Sequence, residues 1–87
     1  MTKNKTMQVW TDERNSLIDF YNRFGGESWV RRDNWCSTAP LKNWYGVEIS
    51  PEGRVIGLQL EKNNLKGDIT QWQSIEKLTQ LQTLYLC

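Results

Sequence analysis

Apolar residues fall at Val55, Leu58 and Leu60, and again with the same spacing at Leu81, Leu84 and Leu86, 26 residues further on. Gly57, Gln59 and Glu61 alternate with the first leucines, and Thr83 and Tyr85 with the second set. Period-two alternation predicts two short strands, leucines on one face and the interleaved residues on the other. Asn63 stands at the end of the first strand, where an amide can bond backbone groups freed by a bend. Leu65 and Ile69 are predicted to turn inward beyond it. Trp72, Ile75, Leu78 and Leu81 then step by three, which predicts a short helical or 3₁₀ segment before the second strand.

Upstream the period changes. Met7, Trp10, Leu17, Tyr21 and Phe24 recur at helical spacing, with Ile18 and Phe20 beside them and Arg14 in one apolar slot. A helix is predicted from Thr6 or from Thr11, ended by Gly25-Gly26 as a left-handed cap, with residues 1–5 frayed. With a start at Thr11, Asp12 and Glu13 would face the positive end of the helix dipole. Residues 27–46 show no period, and Trp29, Trp35 and Trp44 among polar neighbours predict an ordered loop folded over a core edge. Trp44 to Ile49 alternates, and Ser50-Pro51-Glu52-Gly53 has turn chemistry, so residues 44–60 are predicted to form an antiparallel pair.

The line L-x-x-L-x-L-x-x-N, continued as x-L-x-G-x-I through Leu65, Gly67 and Ile69, resembles the leucine-rich-repeat family in its plant-type form. Thr70 replaces the Pro usual in that subclass, and the unit is about two residues longer than usual. The earlier stretch L-I-D-F-Y-N-R-F-G-G-E-S-W, followed by N-W and N-W-Y-G-V, resembles the cap that precedes such repeats. The resemblance implies an α/β (α+β) leucine-rich-repeat solenoid fragment: a cap helix, a β-hairpin, one full repeat and the start of a second. It divides the chain into a cap over residues 1–54 and repeats over 55–87. The secreted cap reads C-W-x-G-V-x-C and carries a disulfide; here Asn43 and Ile49 hold the cysteine positions. That departure, with no apolar leader in M-T-K-N-K-T-M-Q, makes a cytoplasmic location the expectation.

Composition narrows the function classes. Eighty-seven residues allow one domain, and a net charge of +1 gives no electrostatic reason to expect nucleic acid or an anionic membrane. No apolar run reaches the ~20 residues of a membrane span. With no apolar leader in these residues, the sequon Asn4-Lys5-Thr6 is expected to go unused. Cys36 and Cys87 are expected at opposite ends of the solenoid, unbridged. With no His, the common zinc patterns and His-dependent nucleophilic catalysis are absent, so neither an enzyme nor a cofactor is expected. Asp12, Asp19, Asp33 and Asp68 read as surface charge, and Arg31-Arg32 is too small for a nucleic-acid patch. Five Trp are more than a surface needs, and most must fill a core. Trp72 stays open between packing and an exposed contact.

Two candidate surfaces follow. Gly57, Gln59, Glu61, Thr83 and Tyr85 would line the concave face that solenoids use for binding, with Tyr85 as an aromatic anchor beside Gln59 and Glu61. The alternative is a solvated sheet face. Leu81, Leu84 and Leu86, with Leu78 and Cys87, would normally be covered by a following coil, which predicts a homo-oligomer joined end to end. The function expected is a non-catalytic protein-interaction module with a protein partner. The other reading is the N-terminal regulatory or recognition segment of a larger receptor, kinase or GTPase.

Overall fold

The computed structural model describes the backbone of residues 2–86 and the side chains of residues 7–86; the expectations placed on Cys87 lie outside them. The chain is α+β. Helix α1 (Thr2–Arg23) is followed by a loop region with two 3₁₀ turns, Gly26–Ser28 and Leu41–Asn43. Strands β1 (Val47–Ile49), β2 (Val55–Gln59) and β3 (Thr83–Tyr85) form one sheet in that order, with 3₁₀ segments Ile69–Gln71 and Gln73–Lys77 between β2 and β3. Strand β1 pairs antiparallel with β2, through a bulge at Glu48/Ile49, and β2 pairs parallel with β3.

The hairpin turn forms as its composition dictates: the Gly53 N–H donates to the Ser50 carbonyl at 2.8 Å, and the Ser50 hydroxyl accepts from the Arg54 N–H at 3.2 Å. Gly25, at φ 69° and ψ 43°, takes the left-handed conformation that ends α1, where a side chain would be strained.

The helix starts earlier than expected, at Thr2, because no Pro or Gly interrupts the first turns. Its buried face is also rotated from the one that the apolar letters suggest. Glu13, Ser16, Leu17, Phe20 and Phe24 are buried, whereas Met7 and Trp10 are 63% and 47% exposed. Two polar residues hold core-facing slots because each finds partners there. The Ser16 hydroxyl donates to the Ser74 carbonyl at 2.8 Å. The Glu13 carboxylate accepts from the Val55 N–H at 2.9 Å and from Arg54 Nε at 3.0 Å, and Arg54 also donates to the Thr79 hydroxyl. One partly buried ion pair thus ties α1 to the start of β2 and, through Arg54, to Thr79 in the segment entering β3.

Aromatic rings fill the space between α1 and the loops. Phe20 lies 4.4 Å from Phe24 and 4.5 Å from Trp72, Trp29 meets Trp35 edge-on at 4.9 Å, and Trp35 lies 5.2 Å from Trp44. Each of these indoles also donates its N–H to a backbone carbonyl: Trp29 to Phe24, Trp35 to Tyr45, Trp44 to Ala39 and Trp72 to Ser16. A ring with a polar edge buries large apolar area and pins irregular backbone at once, which is what an aperiodic stretch over a core requires. Trp72 is therefore a core residue. Arg14, which breaks the apolar helical pattern, lies over the Trp44 ring at 5.2 Å and donates to the Ser37 and Ala39 carbonyls at 2.7 and 2.9 Å.

Beyond β2, Leu65 is half-buried, but Ile69 is 42% exposed rather than turned inward. With Phe24, Leu84 and Leu86 these two residues line a groove of about 550 Å³. Leu78, expected at an uncovered end, is buried, and Leu81, Leu84 and Leu86 are half-buried. The 3₁₀ segment Gln73–Lys77 packs against α1.

Candidate functional site

The offset of the two apolar triplets becomes the register of the parallel pair: Gly57 lies beside Thr83, Leu58 beside Leu84 and Gln59 beside Tyr85. Parallel in-register pairing places equivalent positions on the same face. Leu58 and Leu60 are buried, whereas Gln59 and Glu61 are exposed, Thr83 is half-buried and Tyr85 is 52% exposed.

This face holds a residue that the repeat pattern did not identify. Glu48 on β1 lies opposite Gly57, and its carboxylate accepts from the Thr83 hydroxyl at 3.2 Å. A Cβ at position 57 would collide with both groups, so Gly57 is the notch through which β1 and β3 reach each other across β2. The alternation Val47, Glu48, Ile49 carried the signal for Glu48. Further along the sheet, the Gln59 N–H donates to the Gly46 carbonyl at 2.7 Å and the Leu60 N–H to the Tyr85 carbonyl at 2.8 Å, so Gly46, Gln59 and Tyr85 form one row.

The loop beside the β2 terminus is held by Asn63. Its side chain accepts from the Arg31 N–H at 2.6 Å and donates to the Arg31 carbonyl at 2.7 Å, and its own carbonyl accepts from the Val30 N–H. The backbone groups that Asn63 bonds belong to the preceding loop, at Val30 and Arg31. Arg31, so placed, lies 4.3 Å over the Tyr45 ring and pairs with Asp33 at 2.8 Å. The Arg31 hydrogen bond holds the Asp33 carboxyl below its usual pKa, and the same contact raises that of Arg31. Both ends are exposed, so the pair orients the Arg31 guanidinium more than it stabilises the fold. The sequence carries no sign of this cluster, because Arg31, Tyr45 and Asn63 share no period.

The face so built has an aromatic side chain, amide and hydroxyl groups and two carboxylates, Glu48 and Glu61. Among the described residues no group of three or more His, Cys, Asp or Glu could hold a metal ion, and no helix is long and apolar enough to cross a membrane. Cys36 is a free thiol in the loop, and partial burial raises its pKa above the ordinary value, which disfavours the reactive thiolate. Of the other candidate surface, Leu84 and Leu86 line the groove that flanks β3, whereas Leu81 does not.

Over 76 residues, 86% of the chain, the sequence is 37% identical to Receptor-like protein 49 of Arabidopsis thaliana. Over 80 residues, 87% of the chain, it is 35% identical to Receptor-like protein 7 of the same plant. The chain spans 8% of the length of each relative. No protein-family profile matches it. No solved structure matches it.

Proposed function

We propose that the chain is the capped beginning of a leucine-rich-repeat solenoid, and that the outward face of its sheet binds a protein partner. Residues 1–54 act as the cap and 55–87 as the first repeats. The observation that carries this reading is the register of β2 and β3, which sets Gln59 beside Tyr85 and Gly57 beside Thr83. Stacked repeats gather equivalent side chains onto one surface, and an exposed aromatic ring among polar groups is the composition of a binding hot spot. Similarity to a segment of two plant receptor-like proteins supports a recognition role. Asn43 and Ile49, in the cap's usual cysteine positions, suit a reducing compartment such as the cytoplasm.

A photoreactive phenylalanine analogue at Tyr85 tests the reading, beside the same analogue at Lys77 on the convex segment. In the cells that make the protein, the Tyr85 probe should label one defined partner that the Lys77 probe does not. Equal labelling from both positions, or none from Tyr85, would rule out the sheet face.

The relatives' much greater length favours a second reading, in which the chain is the recognition segment of a larger receptor. Both readings place something against the outer edge of β3, whose other edge is taken by β2. In the first reading the occupant proposed is a second copy, because an unpaired strand edge can pair with its own kind. Light scattering of the reduced protein should find self-association that Leu84→Lys abolishes. A monomeric, well-folded wild type at high micromolar concentration would contradict it.

A further inference from the structure

Four of the five tryptophans have their indole N–H bonded to a backbone carbonyl; Trp10 is the exception. Its Nε1 has no acceptor among the described residues, and the residue is 47% exposed. A Cβ at Gly53 would lie 3.3 Å from that nitrogen, so the glycine of the hairpin turn is what leaves the donor edge open. Here α1 overhangs the sheet, and a groove of about 370 Å³ opens between the helix, the 40–42 segment and the hairpin. Pro40, Leu41 and Ile49 give it an apolar floor.

The charged groups of the groove are both cationic. Arg14 and Lys42 line it, no carboxylate does, and neither forms an ion pair among the described residues. The Arg14 guanidinium is fixed by its bonds to Ser37 and Ala39, whereas the Lys42 ammonium is exposed and able to move. An apolar slot, an unused indole donor and two uncompensated cations define the chemistry of the missing occupant.

We propose that this groove docks a short acidic segment of a partner protein, one aliphatic or aromatic side chain entering between Trp10 and Leu41. A flanking carboxylate accepts from the Trp10 indole N–H and pairs with Lys42. Buried aromatic and cationic anchors around an apolar pocket concentrate binding energy, and opposite charge at the rim selects the partner. The groove shares no residue with the outward face of the sheet, so the two surfaces can be occupied together. A concave slot walled by three elements fits a peptide side chain better than a flat bilayer surface.

The test uses indole N–H resonances of ¹⁵N-tryptophan-labelled protein, with Trp10 assigned through Trp10→Phe. The probe is acetyl-Asp-Glu-Leu-Phe-Glu-Glu-amide. Its controls are the same peptide with lysine for each acid, and with serine for Leu-Phe. The acidic apolar peptide should move the Trp10 signal saturably and leave the four buried indoles in place. Lys42→Glu, a change at an exposed side chain, should weaken binding at least about tenfold. The proposal fails if no saturable shift occurs, if either control binds as well, or if Lys42→Glu has no effect. It fails equally if vesicles of phosphatidylserine and phosphatidylcholine move the Trp10 signal and the acidic peptide does not.

Discussion

Glu13→Ala is expected to leave the chain largely unfolded at room temperature. Glu13 is fully buried and accepts two hydrogen bonds, from the Val55 N–H and from Arg54 Nε, with a second Arg54 nitrogen 3.0 Å away as an ion-pair contact. Removing one partner of a fully buried ion pair costs about 3–5 kcal/mol, and less here because Arg54 is 24% exposed and keeps its bond to the Thr79 hydroxyl. The Val55 N–H loses its acceptor as well, adding roughly 1–3 kcal/mol. A chain this small sits toward the low end of the about 5–15 kcal/mol net stability of native domains, so the loss takes most of it. Glu13→Gln keeps an acceptor for Val55 and should fall between. Urea unfolding followed by circular dichroism should rank the midpoints wild type, then Gln, then Ala. Coincident midpoints would mean that α1 and β2 are not joined through this carboxylate.

Trp44→Ala should be comparably severe. The ring is 1% exposed, lies against Trp35 and under the Arg14 guanidinium, and donates to the Ala39 carbonyl at 3.1 Å. Truncating a buried Trp costs about 3–5 kcal/mol through lost burial and the cavity left behind. The loss spreads here, because Arg14 braces the same loop through Ser37 and Ala39 and would lose the surface it rests on. Thermal unfolding of Trp44→Ala should show no cooperative transition, or one far below wild type. A cooperative melt within a few degrees of wild type would place Trp44 outside the core.

These two residues differ in how far the sequence exposes them. A tryptophan in an aperiodic stretch can be read as core from its size, and Trp29, Trp35 and Trp44 are all buried. The spacing of Leu58 against Leu84 likewise matches the β2–β3 register, in which the two leucines lie beside each other. The hairpin turn and the Gly25 helix stop were legible too, since each is decided by residues within a few positions.

Glu13 was not legible as a core residue. A carboxylate near a helix start reads as surface charge, and its partners Arg54 and Val55 are brought to it only by the tertiary fold. Because Glu13 and Ser16 hold inward slots, the apolar letters alone pointed to Met7 and Trp10, which are exposed. Asn63 was recognised by its place in the repeat, but not its partner Arg31, whose loop has no period that fixes its path. On the candidate face, Gln59, Thr83 and Tyr85 follow from alternation, while the bond from Thr83 to Glu48 needs the Gly57 notch.

Residues 55–60 and 81–86 are held to be one unit laid beside itself, and everything proposed for the outward face rests on that. A nuclear Overhauser spectrum of the labelled 87-residue chain measures it directly. The expected result is a parallel pattern joining Gly57 to Thr83 and Gln59 to Tyr85. The Gln82 and Leu60 amides, bonded at 2.8 Å to the Ile56 and Tyr85 carbonyls, should exchange slowly. Antiparallel contacts between these segments, or parallel contacts in any other register, would contradict it.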